Sequence, residues 1–571
     1  MNEFLLEPLK CYERIGRAEH IQNTEAFFDD LLKRSRINAE ENRATVRAYK
    51  KEKGAVDKLR SAIRKKKILR VFLIMAIVVC GILGVAGVGG EIVYLIVGVL
   101  GLTVGLILLL KKLNPAIRNA SETLEKHVAK AEELLAQAEE QMAPLNALFD
   151  NTDAFRIIEK TVPEFEFDDK YSIEQENFFI KLHDFLDFND ENSSVTNTLS
   201  GRFAGNPFLI CNVLKREMRL HTYHGMLTIS WTESYRDSQG RRQTRIRTQV
   251  LHASVVKPKP AFYTHQYLCY GNQAAPDLSF SREPQHSERL NDKQVEKKVR
   301  KGAKKLKKKA EQATKTGGNF QEMANSEFDV LFGAGNRDHE VQFRLMYTPL
   351  AQCNTVDLLT SKTGYGDDFH FHKYRRFNVI TSEHAQGRDI SALPDNYYSY
   401  DVDEAKKKFV DFNEKYFKSV FFDFAPLLAV PAYVEEPCAS LEPIEDGGSY
   451  YTYYEHEVMA NCLGGDRLAH ENSATNAIFK THLARKADGC DVVGVTAYSY
   501  AAVDRVDFIP VRGGDGHLHG VPVPWVEYVP LEKESEIALS SAPVSMRELR
   551  EQGLLNNNNA VYFHGMSAKI L

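Results

Sequence analysis

The sequence predicts an integral membrane protein of the α+β class. We expect a two-helix transmembrane hairpin with an antiparallel helical stalk, then a β-rich cytoplasmic region and a small C-terminal α+β module. Three observations predict this class: a long apolar run at 68–112, helical spacing of apolar residues in both of its flanks, and alternation of apolar and polar residues from about residue 203.

The chain has 571 residues, more than one hydrophobic core usually organises. We therefore predict six segments along it. They are an N-terminal region with the first stalk helix at 1–67, the hairpin at 68–112, the second stalk helix at 113–150, the β-rich domain at 151–436, the α+β module at 437–531 and a C-terminal tail at 532–571.

The apolar run is too long for one membrane span. Between Val71 and Leu110 its 40 residues carry one formal charge, Glu91. A single helix of that length would measure about 60 Å, twice the hydrocarbon thickness of a bilayer. We therefore predict two spans, at about 69–88 and 91–110, joined by a glycine-rich turn.

The charges beside the hairpin predict its orientation. Lys and Arg are absent from the turn but flank the two spans at Arg60, Arg64, Lys65, Lys66, Lys67, Arg70, Lys111 and Lys112. Because these residues concentrate on the cytoplasmic side of membranes, both termini are expected in the cytoplasm. The first apolar run also begins too far along the chain to be a signal peptide.

Small residues recur at helical spacing in the two predicted spans. They are Ala76, Cys80, Gly84, Gly98, Gly101 and Gly105. Such residues allow close helix packing in lipid, either within the hairpin or between copies in a homo-oligomer. Between 71 and 110 there is no His, Lys, Arg or Asp, although transport paths usually need such groups. The hairpin is therefore interpreted as an anchor.

Both flanks of the hairpin are predicted to be helices. In the second flank, apolar residues follow steps of three and four from Ile117 to Phe149, which is the heptad pattern of a coiled coil. The first flank has a less regular pattern from Phe28 to Ile63. Because the hairpin returns the chain to one side, we expect antiparallel pairing of these helices. The alternative is a coiled coil between copies of the chain.

The β-rich region begins with strand patterns. Leu227, Ile229 and Trp231 alternate with polar residues, as in a half-buried strand. A turn at 237–240 and a second strand pattern predict an antiparallel meander, strongly twisted or barrel-like. In the last module we expect a helix over 467–490 and then three strands, ending near Leu531.

The strongest charge signal lies between Lys293 and Lys315, with 11 Lys or Arg and two Glu. A thin apolar stripe makes this segment an amphipathic helix. Anionic lipid headgroups are its favoured ligand, a lysine-rich helix facing only solvent is the plainer alternative, and nucleic acid is the least favoured partner. The predicted lipid-binding residues are Lys297, Lys298, Arg300, Lys301, Lys304, Lys305, Lys307, Lys308 and Lys309.

Signals for catalysis are weak. His370 and His372 would share one face of a strand and could bind a metal, but no third ligand is indicated and Lys373 lies next to them. His456, between Glu455 and Glu457, could act as a general base, but no nucleophile is indicated. Walker A, GxSxG and protein-kinase motifs are absent from the sequence. We expect no cofactor.

The stretches "TYHGMLTISWTE", "YGNQAAPDLSFSR", "DHEVQFRLMYTPLAQ" and "GYGDDFHF" resemble a family of uncharacterised bacterial membrane proteins. This resemblance implies a bacterial plasma-membrane location and carries no activity. Together with the anchor and stalk, it favours a membrane-anchored cytoplasmic scaffold or sensor that contacts anionic lipid. The alternative is a membrane-tethered enzyme, metal-dependent through a site near His370 and His372.

Overall fold

The computed structural model describes residues 6–87, 92–182, 190–236, 238–438, 449–556 and 560–571. The chain is 48% helix and 30% strand, which confirms the α+β class. It forms two compact units. One, the helical unit, comprises Thr24–Phe149 and Pro394–Asn413; the other, the mixed unit, comprises Met1–Asn23, Asp150–Leu393 and Glu414–Leu571.

The helices described are numbered here in chain order. They are α1 (Pro8–Cys11), α2 (Arg17–Ser35), α3 (Ala39–Gly87), α4 (Ile92–Ile107), α5 (Asn114–Asn146), α6 (Asp153–Thr161), α7 (Ile173–Leu182), α8 (Asp292–Thr316), α9 (Ser326–Phe332), α10 (Glu340–Met346), α11 (Pro349–Thr360), α12 (Val402–Leu428), α13 (Ala432–Glu435), α14 (Tyr453–Leu463), α15 (Gly465–Leu468) and α16 (Met546–Glu551).

In the helical unit, α3 and α5 pack antiparallel. The 49 residues of α3 extend over about 74 Å and include both the first stalk segment and the first predicted span. The buried faces contain heptad positions of α5, such as Ala138 and Met142, and residues of α3, such as Val46 and Val56. Glu52 of α3 accepts hydrogen bonds from α5, so the two helices are also joined by polar contacts.

The strands form two antiparallel sheets in the mixed unit. The first has the order β1-β2-β3-β4-β7-β6-β5 and the second β11-β12-β10-β9-β8. Their bounds are β1 (Phe165–Phe167), β2 (Ser193–Phe203), β3 (Asn206–Arg236), β4 (Arg242–Gly271), β5 (Ser279–Arg282), β6 (Phe369–Tyr374), β7 (Phe377–Ser382), β8 (Ile478–Ala487), β9 (Cys490–Arg512), β10 (Leu518–Ser541), β11 (Ala560–Phe563) and β12 (Met566–Ile570).

Two very long hairpins extend these sheets. Ribbon 1 is the β3–β4 pair, continuous from Phe208↔Tyr270 to Arg236↔Arg242. Ribbon 2 is the β9–β10 pair, continuous from Ser540↔Cys490 to Leu518↔Arg512. The sequence predicted separate strands at 491–502 and 505–513; this was wrong, since β9 runs through both.

The two ribbons pack on each other through one face each. Ile229 and Leu251 of ribbon 1 meet Val521 of ribbon 2 in a small buried core. A Cβ at Gly225 would overlap the Pro522 carbonyl, so glycine is required for this close approach. The packed ribbons form an arm that, from residue 214 to 236, extends about 70 Å.

The C-terminal module differs from its prediction. The expected helix over 467–490 is wrong, because β8 occupies most of its second half. The segment 532–571 is not a separate tail: it contributes the end of β10 together with β11 and β12. Met566 and Ala568 of β12 lie in one core with Met459 of α14. The N-terminal region that the sequence grouped with the first stalk helix divides at Asn23: the part before Thr24 belongs to the mixed unit.

Candidate functional site

The hairpin exposes a broad apolar surface. Large apolar side chains point outward along α3 from Ile68 to Val85 and along α4 from Ile96, with Phe72 60% and Val85 77% exposed. One helical stretch, Ile96–Asn146, contains a window long and apolar enough to cross a membrane, with a mean hydropathy of 2.1 and 11% of it buried. The first predicted span is helical up to Gly87 and then reaches residues outside the described part.

The small residues of the hairpin have different surroundings. A Cβ at Gly101 would lie 2.5 Å from Cys80 Sγ, and one at Gly105 would lie 2.6 Å from Ile77 Cγ1. Gly98 is also buried, whereas Ala76 is exposed. The surroundings of Gly84 lie outside the described residues. The glycines of α4 therefore allow α3 and α4 to approach closely within one chain.

The predicted basic helix is present as α8. The Asn291 side chain caps the N-terminus of α8 by accepting a hydrogen bond from the Gln294 backbone amide, and the Gln294 side chain accepts one from the Asn291 backbone amide. Gly317, with φ 74°, ends the helix. The segment is thus a helix with clear sequence signals at both ends.

The apolar stripe of α8 is partly buried against the protein. α8 packs against α9, and a Cβ at Gly302 would overlap the Val330 side chain. The stripe residues Val299 and Leu306 are half-buried on this side. This contact leaves less of the stripe available to insert between lipid acyl chains.

Eight of the nine predicted lipid-binding cations are exposed, and one of these, Lys309, donates a hydrogen bond within the protein. The other seven are Lys297, Arg300, Lys301, Lys304, Lys305, Lys307 and Lys308, and we call them the cationic face of α8. Within the described part of the chain, none of these seven forms an ion pair with a carboxylate. Their charge is therefore uncompensated by local partners.

The other two predicted cations bond within the protein. Lys298 Nζ donates hydrogen bonds to the Gln285 carbonyl at 3.3 Å and to Ser287 Oγ at 3.1 Å, and burial lowers its pKa. Lys309 Nζ donates to the Gly335 carbonyl. These two residues hold α8 in place and are less available to a ligand.

His370 and His372 lie on the same face of β6, as the sequence predicted for a strand. Burial lowers the pKa of His372, and neighbouring His370 lowers it further. Among the described residues, no group of three or more His, Cys, Asp and Glu could hold a metal ion. The proposed metal site therefore lacks a third ligand there.

Lys373 points away from these histidines. It is buried, and its Nζ donates to the carbonyls of Ala274 at 2.8 Å and Arg375 at 2.5 Å. Burial lowers the pKa of Lys373 to about 7. Lys373 therefore does not lie on the face of β6 that carries His370 and His372, and it would not repel a metal ion bound there.

A buried charged cluster that the sequence did not predict surrounds His384. Its Nδ1 lies 2.7 Å from Asp368 Oδ2 and its Nε2 lies 3.2 Å from Asp423 Oδ1. Tyr365 stacks on its ring at 4.0 Å, and Arg388 pairs with Asp423. These positions are far apart in sequence and carry no motif, so pattern reasoning had no signal for them.

The environment of His384 fixes its charge. Burial alone would lower the pKa of His384, but hydrogen bonds to Asp368 and Asp423 raise it to about 9. Burial alone would likewise raise the pKa of Asp423, but Arg388 and His384 hold it below its usual range. Both ring nitrogens face carboxylates, so this imidazolium has no free nitrogen for base catalysis.

His456 also fails as a catalytic base. Its Nε2 lies 3.4 Å from Ser449 Oγ and 3.2 Å from Asp491 Oδ2, while Ser449 Oγ donates to the same Asp491 oxygen at 2.6 Å. In a Ser-His-Asp triad, serine and aspartate contact opposite nitrogens of the ring. Here both meet Nε2, so the histidine cannot relay a proton between them.

The neighbouring glutamates have structural contacts. Glu455 accepts a hydrogen bond from the Thr452 amide in the capping box of α14, and Glu457 pairs with Lys480. The two glutamates beside His456 thus serve helix capping and ion pairing.

No protein-family model, curated protein or solved structure matches the chain. The resemblance to bacterial membrane proteins therefore stays a prediction. The features that bear on function are the hairpin, α8 and the arm.

Proposed function

We propose that the protein is a membrane-anchored cytoplasmic scaffold whose cationic face of α8 contacts anionic lipid headgroups. The observation that supports the anchor is the exposure of large apolar side chains along both helices of the hairpin. Burying one such side chain contributes about 1.5–3 kcal/mol. Transfer of the whole set into hydrocarbon would therefore contribute tens of kcal/mol, far more than the stability of a typical domain.

The flanking charges support a cytoplasmic location for both stalk helices. Arg64, Lys65, Lys66 and Lys67 precede the first span and Lys111 follows the second. This distribution favours an orientation with the turn outside and both flanks in the cytoplasm. The bacterial plasma membrane itself is proposed from the resemblance.

The lipid contact is proposed to be electrostatic. The cationic face of α8 carries seven exposed charges, and the apolar stripe of α8 is partly buried, with α9 packed against the helix. Each cation near an anionic membrane contributes about 1 kcal/mol. Such binding occurs at headgroup level and weakens as salt rises.

Scaffolding is favoured over catalysis. In the described part of the chain, neither His370, His384 nor His456 is placed with both a nucleophile and a free ring nitrogen. The arm and α8 instead present large surfaces with no catalytic arrangement.

A vesicle-capture assay tests the lipid contact. The full chain is reconstituted into neutral phosphatidylcholine vesicles, and added vesicles containing phosphatidylserine are then captured by co-sedimentation. Replacing Lys297, Lys301, Lys304 and Lys308 by Gln removes about 4 kcal/mol of attraction, so capture should fall by about three orders of magnitude in apparent affinity.

A matched variant controls for net charge. Lys51, Lys58, Lys126 and Lys407 are equally exposed but lie outside α8, and their replacement by Gln should leave capture unchanged. Equal loss in both variants would reject the assignment to α8. Complete release of the full chain from cell membranes by alkaline carbonate would reject the anchor separately.

A further inference from the structure

The outward face of ribbon 1 carries no charged residue over a long distance. Eight consecutive cross-strand pairs lie on it: Leu220↔Pro258, Thr222↔Val256, His224↔Ser254, Met226↔His252, Thr228↔Val250, Ser230↔Thr248, Thr232↔Ile246 and Ser234↔Thr244. We call these sixteen residues the neutral face. Since 26% of the chain is charged, a surface of average composition and this size would carry several charges.

The charges of ribbon 1 lie on its other face. Glu233 pairs there with Arg245 and Arg247, and Lys257 pairs with Asp507 of ribbon 2 at 2.8 Å. The face that ribbon 2 covers is thus partly charged, while the uncovered face is neutral. This is the reverse of the usual pattern for a solvent-facing sheet surface.

All sixteen residues of the neutral face are exposed. Leu220 and Ile246 are 78% exposed and Met226 is 68% exposed. Arg236 and Arg242 follow at the tip of the ribbon, so the neutral face has a defined end. Six of the sixteen residues are apolar and ten are Thr, Ser or His. Exposed apolar side chains grouped on one face and bounded by charge are typical of an interaction site.

We propose that the neutral face is a homodimer interface, in which ribbon 1 of one copy packs face to face on ribbon 1 of a second copy. Covering an uncharged surface with a charged one would bury ions that have no partner, which is costly, so a second uncharged surface is the favoured occupant. A twofold axis brings the neutral face against itself and meets this condition. Its Thr, Ser and Val side chains suit the roughly 10 Å separation of packed sheets.

The size of the neutral face predicts a weak dimer. Eight alternate pairs extend about 50 Å along two strands about 10 Å wide. This gives about 500 Å² for each copy and about 1,000 Å² in total, which is at the lower limit for a specific interface. Anchoring in one membrane raises the effective concentration of the copies and favours the dimer there.

Two exposed valines provide a matched test. Val250 lies in the neutral face and is 44% exposed, whereas Val506 lies on the outward face of ribbon 2 and is 50% exposed. The mass of the full chain in detergent is measured by light scattering over a concentration series. We expect a monomer–dimer equilibrium whose Kd rises at least tenfold in Val250→Lys and stays unchanged in Val506→Lys. Thr228→Lys, directly opposite Val250, should act like Val250→Lys.

Tryptophan fluorescence monitors folding of the variants. The chain has two tryptophans, Trp231 and Trp525, and both lie in the arm. Unchanged emission shows that the ribbons remain packed. A wild-type chain that stays monomeric up to tens of micromolar would overturn the proposal. Loss of the dimer only in Val506→Lys would also overturn it, because the interface would then lie on ribbon 2. A dimer that persists in both Val250→Lys and Val506→Lys would overturn it as well, because the interface would then lie in the stalk or hairpin.

Discussion

Replacing His384 by Gln tests the buried charged cluster through the pH dependence of stability. The ordinary pKa of histidine is 6.5, and in the folded protein Asp368 and Asp423 raise that of His384 to about 9. The difference corresponds to about 3 kcal/mol of stabilisation. The side chain is only 4% exposed, so solvent screening does not reduce this value greatly.

The sign of the effect follows from linkage. A histidine whose pKa is raised by folding contributes its full stabilisation below pH 6.5 and loses it as the pH rises through about 9. The wild-type chain should therefore lose about 3 kcal/mol between pH 6 and pH 9.5 from this group. The glutamine variant should lack this component, because its amide does not titrate.

Thermal unfolding of the full chain in detergent, followed by circular dichroism at 222 nm, measures this difference. His372→Gln is the matched control, because His372 is exposed on β6 and contacts no carboxylate within the described residues. We expect the midpoint of wild type and of His372→Gln to fall by several degrees more than that of His384→Gln over this pH range. An equal fall of the unfolding midpoint in all three proteins would refute the assignment of a charged His384 imidazole held between Asp368 and Asp423.

Two further substitutions test close packing at glycine. Gly101→Val should destabilise the hairpin by about 1–3 kcal/mol, because its Cβ would meet Cys80 Sγ. An SDS titration followed by circular dichroism measures this loss. Gly81→Val should be nearly neutral in that titration, because nothing lies within 4 Å of the added Cβ. Gly225→Val should separate the two ribbons and shift tryptophan emission to the red, whereas Gly520→Val, whose nearest contact is 3.6 Å away, should not. An unchanged emission spectrum in Gly225→Val would show that the ribbons tolerate a side chain there.

Local patterns predicted the elements that are defined by local contacts. Alternation at Leu227, Ile229 and Trp231 predicted a strand, and β3 contains it, because one face of the strand is buried and the other is not. The apolar stripe between Lys293 and Lys315 likewise predicted a helix, and α8 contains it, because the stripe depends on spacing within one segment. The sequence could therefore locate both elements.

Errors arose where distant partners decide the structure. The segment 467–490 has enough helix-forming residues to suggest a helix, but β8 within it is held by β9. The segment 532–571 has short strands, and β12 is recognisable only through its pairing with β10. Tertiary pairing overrides local propensity in both cases.

The sequence by itself determined the apolar run at 68–112, its cationic flanks and the density of charge in α8, because each depends on composition within one short segment. Only the tertiary structure decided that the apolar stripe of α8 is partly buried, that His384 lies between two carboxylates, and that the neutral face is exposed. In the segments 220–234 and 244–258 every second residue, at the even-numbered positions, is uncharged, and this alternation is visible in the sequence. The register between β3 and β4 places these uncharged positions on one face of ribbon 1, and ribbon 2 packs on the opposite face.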